Sequence, residues 1–74
     1  MAKRPKYPVF QNWLLNQMVE FELTPMSLAL KLDLLDGVIE DWVAGREVPD
    51  PVQCAHLAEL FEMPVQKVLQ VAGW

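Results

Sequence analysis

Seventy-four residues suffice for one domain, and a composition that is 53% hydrophobic lets so short a chain bury a core without cross-links or a structural metal. One cysteine excludes an intramolecular disulfide, no Cys/His cluster has metal-ligand spacing, and no apolar run has the length of a bilayer span or of a signal-peptide core, so a cytoplasmic globular protein is expected. The net charge of −4 argues against indiscriminate nucleic-acid binding, although Lys3, Arg4 and Lys6 put half of the 6 cations at the start of the chain.

Residues 1–8, "MAKRPKYP", read as a basic arm broken by prolines and too poor in apolar residues to pack by itself, with a single domain over 9–74. After Pro8, the residues Phe10, Trp13, Leu14, Met18 and Phe21 recur at helical spacing and predict a first helix to about Glu22. Thr24 then Pro25 is an N-cap followed by proline at the first helical position, where its missing N–H costs nothing. The second helix, about 25–32, turns Leu28, Ala29 and Leu32 inward. Asp36 is the expected cap of a third helix of about 37–44, with Ile39 and Trp42 on its buried side and Gly45 in the left-handed position after it.

In "PDPVQ", Asp50 caps, Pro51 takes the first position and Gln53 completes a capping box. Cys54, Leu57, Ala58 and Phe61 form the apolar stripe of that fourth helix. Pro64 opens a last helix in which Val65, Val68 and Leu69 face in, and Gly73 ends it. No segment alternates at period two, so no strand is expected. The predicted fold is all-α: five short helices around Phe10, Leu14, Leu28, Leu32, Ile39, Trp42, Leu57, Phe61 and Val68.

The stretch "LDLLDGVIEDWVAGREVP", residues 32–49, has the layout of an element that reads DNA: an apolar anchor, a tight turn, then a short helix ending on Trp42, followed by Gly45 and Arg46. With its flanks, "LTPMSLALKLDLLDGVIEDWVAGREVPDPVQCAHLAELFEMPVQKVL", it resembles the lambda-repressor-like, or Cro/Xre-type, helix-turn-helix domains without a gap. The points of resemblance are the polar cap Thr24, the Leu28-Ala29 pair, Ile39 and Trp42 three apart, Gly45 with a basic residue after it, Pro49 before the fourth helix, and Leu57-Ala58 with Val65, Val68 and Leu69. It covers roughly residues 9–70 and implies a compact five-helix domain whose second and third helices form the reading unit. A fold does not fix what its surface does.

The departures from that pattern fall where function sits. Relatives that read DNA usually start the second helix with glutamine, and Pro25 stands there. Their third helix offers Ser, Arg or Thr at exposed positions; this one offers Leu35, Asp36, Gly37, Val38, Glu40 and Asp41. None of the productive Arg, Lys, Asn or Gln base contacts is available on it. Each carboxylate at about 5 Å from a phosphate is repelled by roughly 1 kcal/mol even in water-like dielectric. Many relatives also pair an arginine late in the first helix with a glutamate just after the tryptophan; Met18 and Val43 occupy those positions. Both ends of that pair are apolar together, so neither charge is left stranded, an exchange that is often neutral or stabilising.

No enzyme is expected. Cys54 and His56 lie two apart on a helix and face different ways, Ser27 is the single serine, and Asp41 projects to one side of Asp36 and Glu40, so neither a triad nor a metal, cofactor or small-molecule site is assigned. On the family's layout Leu30, Leu35, Val38 and Val48 fall at or near the exposed face, where an apolar group rimmed by Asp36, Glu40 and Asp41 has the character of a partner-binding patch. The expected function is protein–protein contact, with another protein or a second copy, as an adaptor, inhibitor or small accessory subunit. The alternative is a DNA-binding transcriptional regulator holding phosphate with Arg46 and the Lys3, Arg4 and Lys6 arm.

Overall fold

The structure, a computed structural model, describes residues 4–74 and is all-helical over them: α1 (Pro8–Glu20), α2 (Pro25–Leu32), α3 (Asp36–Val43), α4 (Pro51–Leu60) and α5 (Val65–Ala72). Three of these helices have proline in their first turn, where no N–H is needed. α2 and α4 begin with reciprocal capping boxes. Ser27 N–H donates to Thr24 Oγ1 at 3.1 Å while Thr24 N–H donates to Ser27 Oγ at 2.8 Å. Gln53 N–H donates to Asp50 Oδ1 at 2.7 Å while Asp50 N–H donates to Gln53 Oε1 at 2.9 Å.

All five helices end in one way. An N–H two residues beyond the last turn closes back in a six-to-one bond, as Leu23 to Met18, Leu34 to Ala29, Arg46 to Asp41, Met63 to Ala58 and Trp74 to Leu69, each at 2.8 or 2.9 Å. A five-to-two bond lies inside each, the pattern of the Schellman motif. The motif needs a left-handed residue. Gly45 (φ +75) and Gly73 (φ +89) supply it twice, and the acidic residues Glu22, Asp33 and Glu62, with φ between +54 and +56, supply it three times.

α1 packs on α3 and α5, α2 on α3, and α4 on α5, enclosing Phe10, Leu14, Met18, Leu28, Ala29, Ile39, Trp42, Cys54, Leu57, Ala58, Phe61, Val68 and Ala72. The radius of gyration, 11.4 Å, matches the ~11 Å that compact chains of this length reach. Aromatic rings organise one side of the core: Trp42 meets Phe10 edge-on at 6.2 Å, and Phe61 meets Trp13 edge-on at 5.7 Å. Eight of the nine side chains expected to form the core are buried; Leu32, the ninth, is half-buried at the last turn of α2.

Two helix boundaries differ from expectation. α1 stops at Glu20, because Glu22 turns left-handed and Leu23 closes the end. Asp36 is not a cap but the first residue of α3. The left-handed Asp33 delivers the chain so that Leu35, extended at φ −72 and ψ 146, occupies the cap position with no side-chain bond to give. Asp36 in the first turn still favours the positive end of the helix dipole.

Within the expected arm, residues 4–8 are described, and part of this segment packs. Tyr7 N–H donates to the Gly45 carbonyl at 2.9 Å, and Pro5 lies so near Gly45 that a Cβ there would meet Pro5 Cβ at 2.5 Å. At the other end Trp74 Nε1–H donates to the Pro49 carbonyl at 2.8 Å. Backbone carbonyls of the chain itself thus accept from Tyr7 and from Trp74.

Candidate functional site

The α2–α3 unit positions two groups of side chains. The first group follows from how α2 buries its stripe. With Leu28 and Ala29 inward, Met26 and Leu30 fall one turn apart on the opposite face, 62% and 77% exposed. Leu35, at the mouth of α3, is 79% exposed. A Leu, Met or similar side chain gains roughly 1.5–3 kcal/mol by burial, and none of these three collects it within the chain. Three carboxylates of the same unit are exposed as well: Asp33 in the turn, and Asp36 and Glu40 on α3.

Of the apolar residues expected on this face, Leu30 and Leu35 are exposed, whereas Val38 and Val48 are half-buried and pack against the core. Fewer of the expected apolar residues are therefore exposed than the sequence suggests, and Met26 on α2 is an additional exposed one. That residue was readable from its spacing to Leu30 once Leu28 and Ala29 are assigned inward. Val43 likewise lies at the margin of the core, its carbonyl accepting from Gln11 Nε2 at 2.9 Å, and Met18 is buried.

The second group is cationic. Tying Tyr7 to Gly45 brings the arm beside the end of α3, so that Arg4, Pro5, Lys6, Ala44 and Arg46 line one open cleft of about 470 Å³. Lys3 lies outside the described residues. Arg46 is already engaged. Its Nε and Nη2 donate to Asp41 Oδ1 at 2.9 and 2.8 Å, and its backbone N–H donates to the Asp41 carbonyl at 2.9 Å. Asp41 and Arg46 thus satisfy each other, which leaves Asp36 and Glu40 as the unpaired charges of α3 among the described residues.

α3 consequently has a polar charge distribution along its exposed side. Asp36, Glu40 and Ala44 are spaced by four and form one stripe. Its first turns are acidic, and its end opens on the cleft of Arg4, Lys6 and Arg46. A separate concavity of about 350 Å³, lined by Lys31, Leu32, Asp33, His56, Glu59 and Leu60, mixes both signs. Among the described residues no three His, Cys, Asp or Glu side chains are grouped to hold a metal ion.

Cys54 and His56 are not brought together. Cys54 is fully buried, its thiol donating to the Pro49 carbonyl at 3.7 Å, and His56 is exposed. Burial, with the nearby Asp50 charge, pushes the Cys54 thiol up to about 11, so at neutral pH it is a protonated core group rather than a nucleophile. No described helix is long and apolar enough to cross a membrane. The chain matches no family model, no curated protein and no solved structure.

Proposed function

We propose that this chain is a Cro/Xre-like helix-turn-helix domain used for protein–protein contact through the α2–α3 face. The observation that carries the reading is the exposure of Leu30 and Leu35, 77% and 79%, on a unit to which α3 adds Asp36 and Glu40, carboxylates unpaired among the described residues. Arg46 makes an exposed ion pair with α3's own Asp41, Asp36 and Glu40 repel a phosphate backbone, and Leu30 and Leu35 leave apolar surface exposed. Such a surface gains from burial against a protein, with carboxylates at the rim steering a partner of opposite charge. The domain then serves as an adaptor, inhibitor or small accessory subunit. Where its partner is a DNA-binding protein or a polymerase, it acts in transcription without touching DNA.

A paired substitution tests this. Leu30→Asp with Leu35→Asp should abolish partner capture while leaving the helical circular dichroism unchanged, since both side chains are outside the core. Val38→Asp is unsuitable for the purpose, because Val38 packs against the core and a charge there compromises folding. If the doubly substituted domain retains the same proteins as the parent, another surface makes the contact.

A second reading, a DNA-binding regulator, draws on one observation: Arg4, Lys6 and Arg46 share a cleft at the end of α3. In that reading they hold phosphate together with Lys3. Its weakness is that no base-reading side chain accompanies them on α3.

A further inference from the structure

We propose that the Asp36-Gly37 peptide, at the start of α3, is a site of spontaneous backbone modification, where the native fold admits conversion of aspartate to isoaspartate. The inference does not depend on what the α2–α3 face binds. In this reaction the Gly37 amide nitrogen attacks Cγ of the Asp36 carboxyl group. A C–N bond forms, the Cγ–OH bond breaks, and the hydroxyl leaves as water with the amide proton. The product is a five-membered succinimide ring, which water then opens at one of its two carbonyls. Attack at Cγ restores aspartate. Attack at the main-chain carbonyl leaves the chain running through Cβ and Cγ, with a carboxylate on Cα.

The reaction needs a free carboxyl, a following N–H with no acceptor, and open space around that nitrogen. Of the chain's 4 aspartates, Asp36 meets all of these needs. It is exposed and stands in no ion pair among the described residues. Leu35 occupies the cap position without a side-chain bond, so the Gly37 N–H, in the first turn of α3, has no acceptor among them. Gly37 is itself exposed, and nothing in the rest of the fold lies within 4 Å of where its Cβ would stand.

The other candidates are protected. After Asp33, the Leu34 N–H donates to the Ala29 carbonyl at 2.9 Å. Asp41 pairs with Arg46 at 2.8 Å, and Trp42 after it is buried within α3. Asp50 precedes Pro51, which has no N–H to attack with. Asn12 and Asn16 can close the same ring with loss of ammonia, but both stand inside α1, where the next N–H is bonded one turn back.

Closing the ring requires the Asp36-Gly37 peptide to rotate out of its helical orientation. At the first turn this releases only the helical bond that the Asp36 carbonyl accepts, and helix ends open at the low end of the free-energy scale. Conversion adds a carbon atom to the main chain between Leu35 and Gly37, which alters the start of α3.

The test is warm storage of the full chain at neutral pH. Peptide mapping by mass spectrometry locates isoaspartate, and enzymatic methylation of isoaspartyl carboxylates counts it. The samples are the folded parent, the parent in urea and folded Gly37→Ala, with circular dichroism to verify folding. The folded parent should gain isoaspartate at position 36 within about tenfold of the rate in urea, since opening at a helix end costs little. Gly37→Ala should convert roughly tenfold more slowly than the folded parent, because its methyl crowds the nitrogen and favours the helix. A folded parent that keeps ordinary aspartate at position 36 while the chain in urea converts overturns the inference, since the fold then protects the peptide. So does a chain that converts in neither state, or a Gly37→Ala domain that converts as fast as the parent. Isoaspartate appearing first at Asp33, Asp41 or Asp50 of the folded chain overturns it as well.

Discussion

Gly37 and Gly45 stand at the two ends of α3 and respond oppositely to alanine. At Gly37 the backbone is helical and an added Cβ meets nothing, so Gly37→Ala should raise stability by roughly 0.5–1 kcal/mol through helix propensity alone. At Gly45 the backbone is left-handed and the same methyl collides with Pro5. Gly45→Ala should therefore cost at least about 1–2 kcal/mol and loosen the arm. Urea denaturation of both variants checks the pair, and equal effects of one sign would contradict the account of how the arm is seated. The Cys54 thiol offers a second residue-level check. Buried and raised to about 11, it should resist alkylation at neutral pH in the native state and react in denaturant.

At the scale of elements, the helix ends decide most of what is unusual. Glu22, Asp33 and Glu62 occupy left-handed positions that glycine would fill with less strain, and each sets a carboxylate at the negative end of a helix dipole. Glu62→Gly should stabilise the domain by about 0.5–1 kcal/mol, measured by thermal or urea unfolding; a loss of stability would mean that the side chain makes a contact worth more than the strain. The starts of α2 and α4 follow ordinary capping chemistry, and Asp50→Ala should cost roughly 0.5–2 kcal/mol.

The starts of α2 and α4 were legible for this reason: Thr24-Pro25 and Asp50-Pro51-x-Gln53 announce their caps in the side chains that make them. The ends of α1, α2 and α4 were harder to read, since no glycine marks them. The apolar residue just after each acid, Leu23, Leu34 and Met63, is the trace they leave, half-buried over the preceding turn. Asp36 misled because its composition suits a cap, while the left-handed Asp33 had already set the chain's path. The exposure of Leu30, Leu35, Asp36 and Glu40 was legible. The packing of Val38 and Val48 against the core was not, nor was the docking of the arm on Gly45, because each depends on contacts between segments far apart in sequence.

At the scale of the whole molecule, one core supports two surfaces of opposite sign at either end of α3. The core is small, and Trp42, in edge contact with Phe10, fills its centre. Trp42→Ala should cost roughly 3–5 kcal/mol, a large part of the stability available to a domain of this size, and should be visible as loss of cooperative unfolding. With the scaffold intact, the question is what the α2–α3 face meets. Specific readers of DNA hold their sites at roughly 10⁻⁸ to 10⁻¹¹ M using several phosphate contacts together with base contacts. Here Arg46 makes an exposed ion pair with Asp41, and Asp36 and Glu40 oppose a phosphate backbone. The most direct measurement is selection of duplexes from a random pool by the parent domain at about 0.15 M salt, followed by titration of whatever is enriched. The account predicts that no sequence is enriched and that residual binding is weak and lost as salt rises; retention of one duplex sequence at nanomolar strength would contradict it.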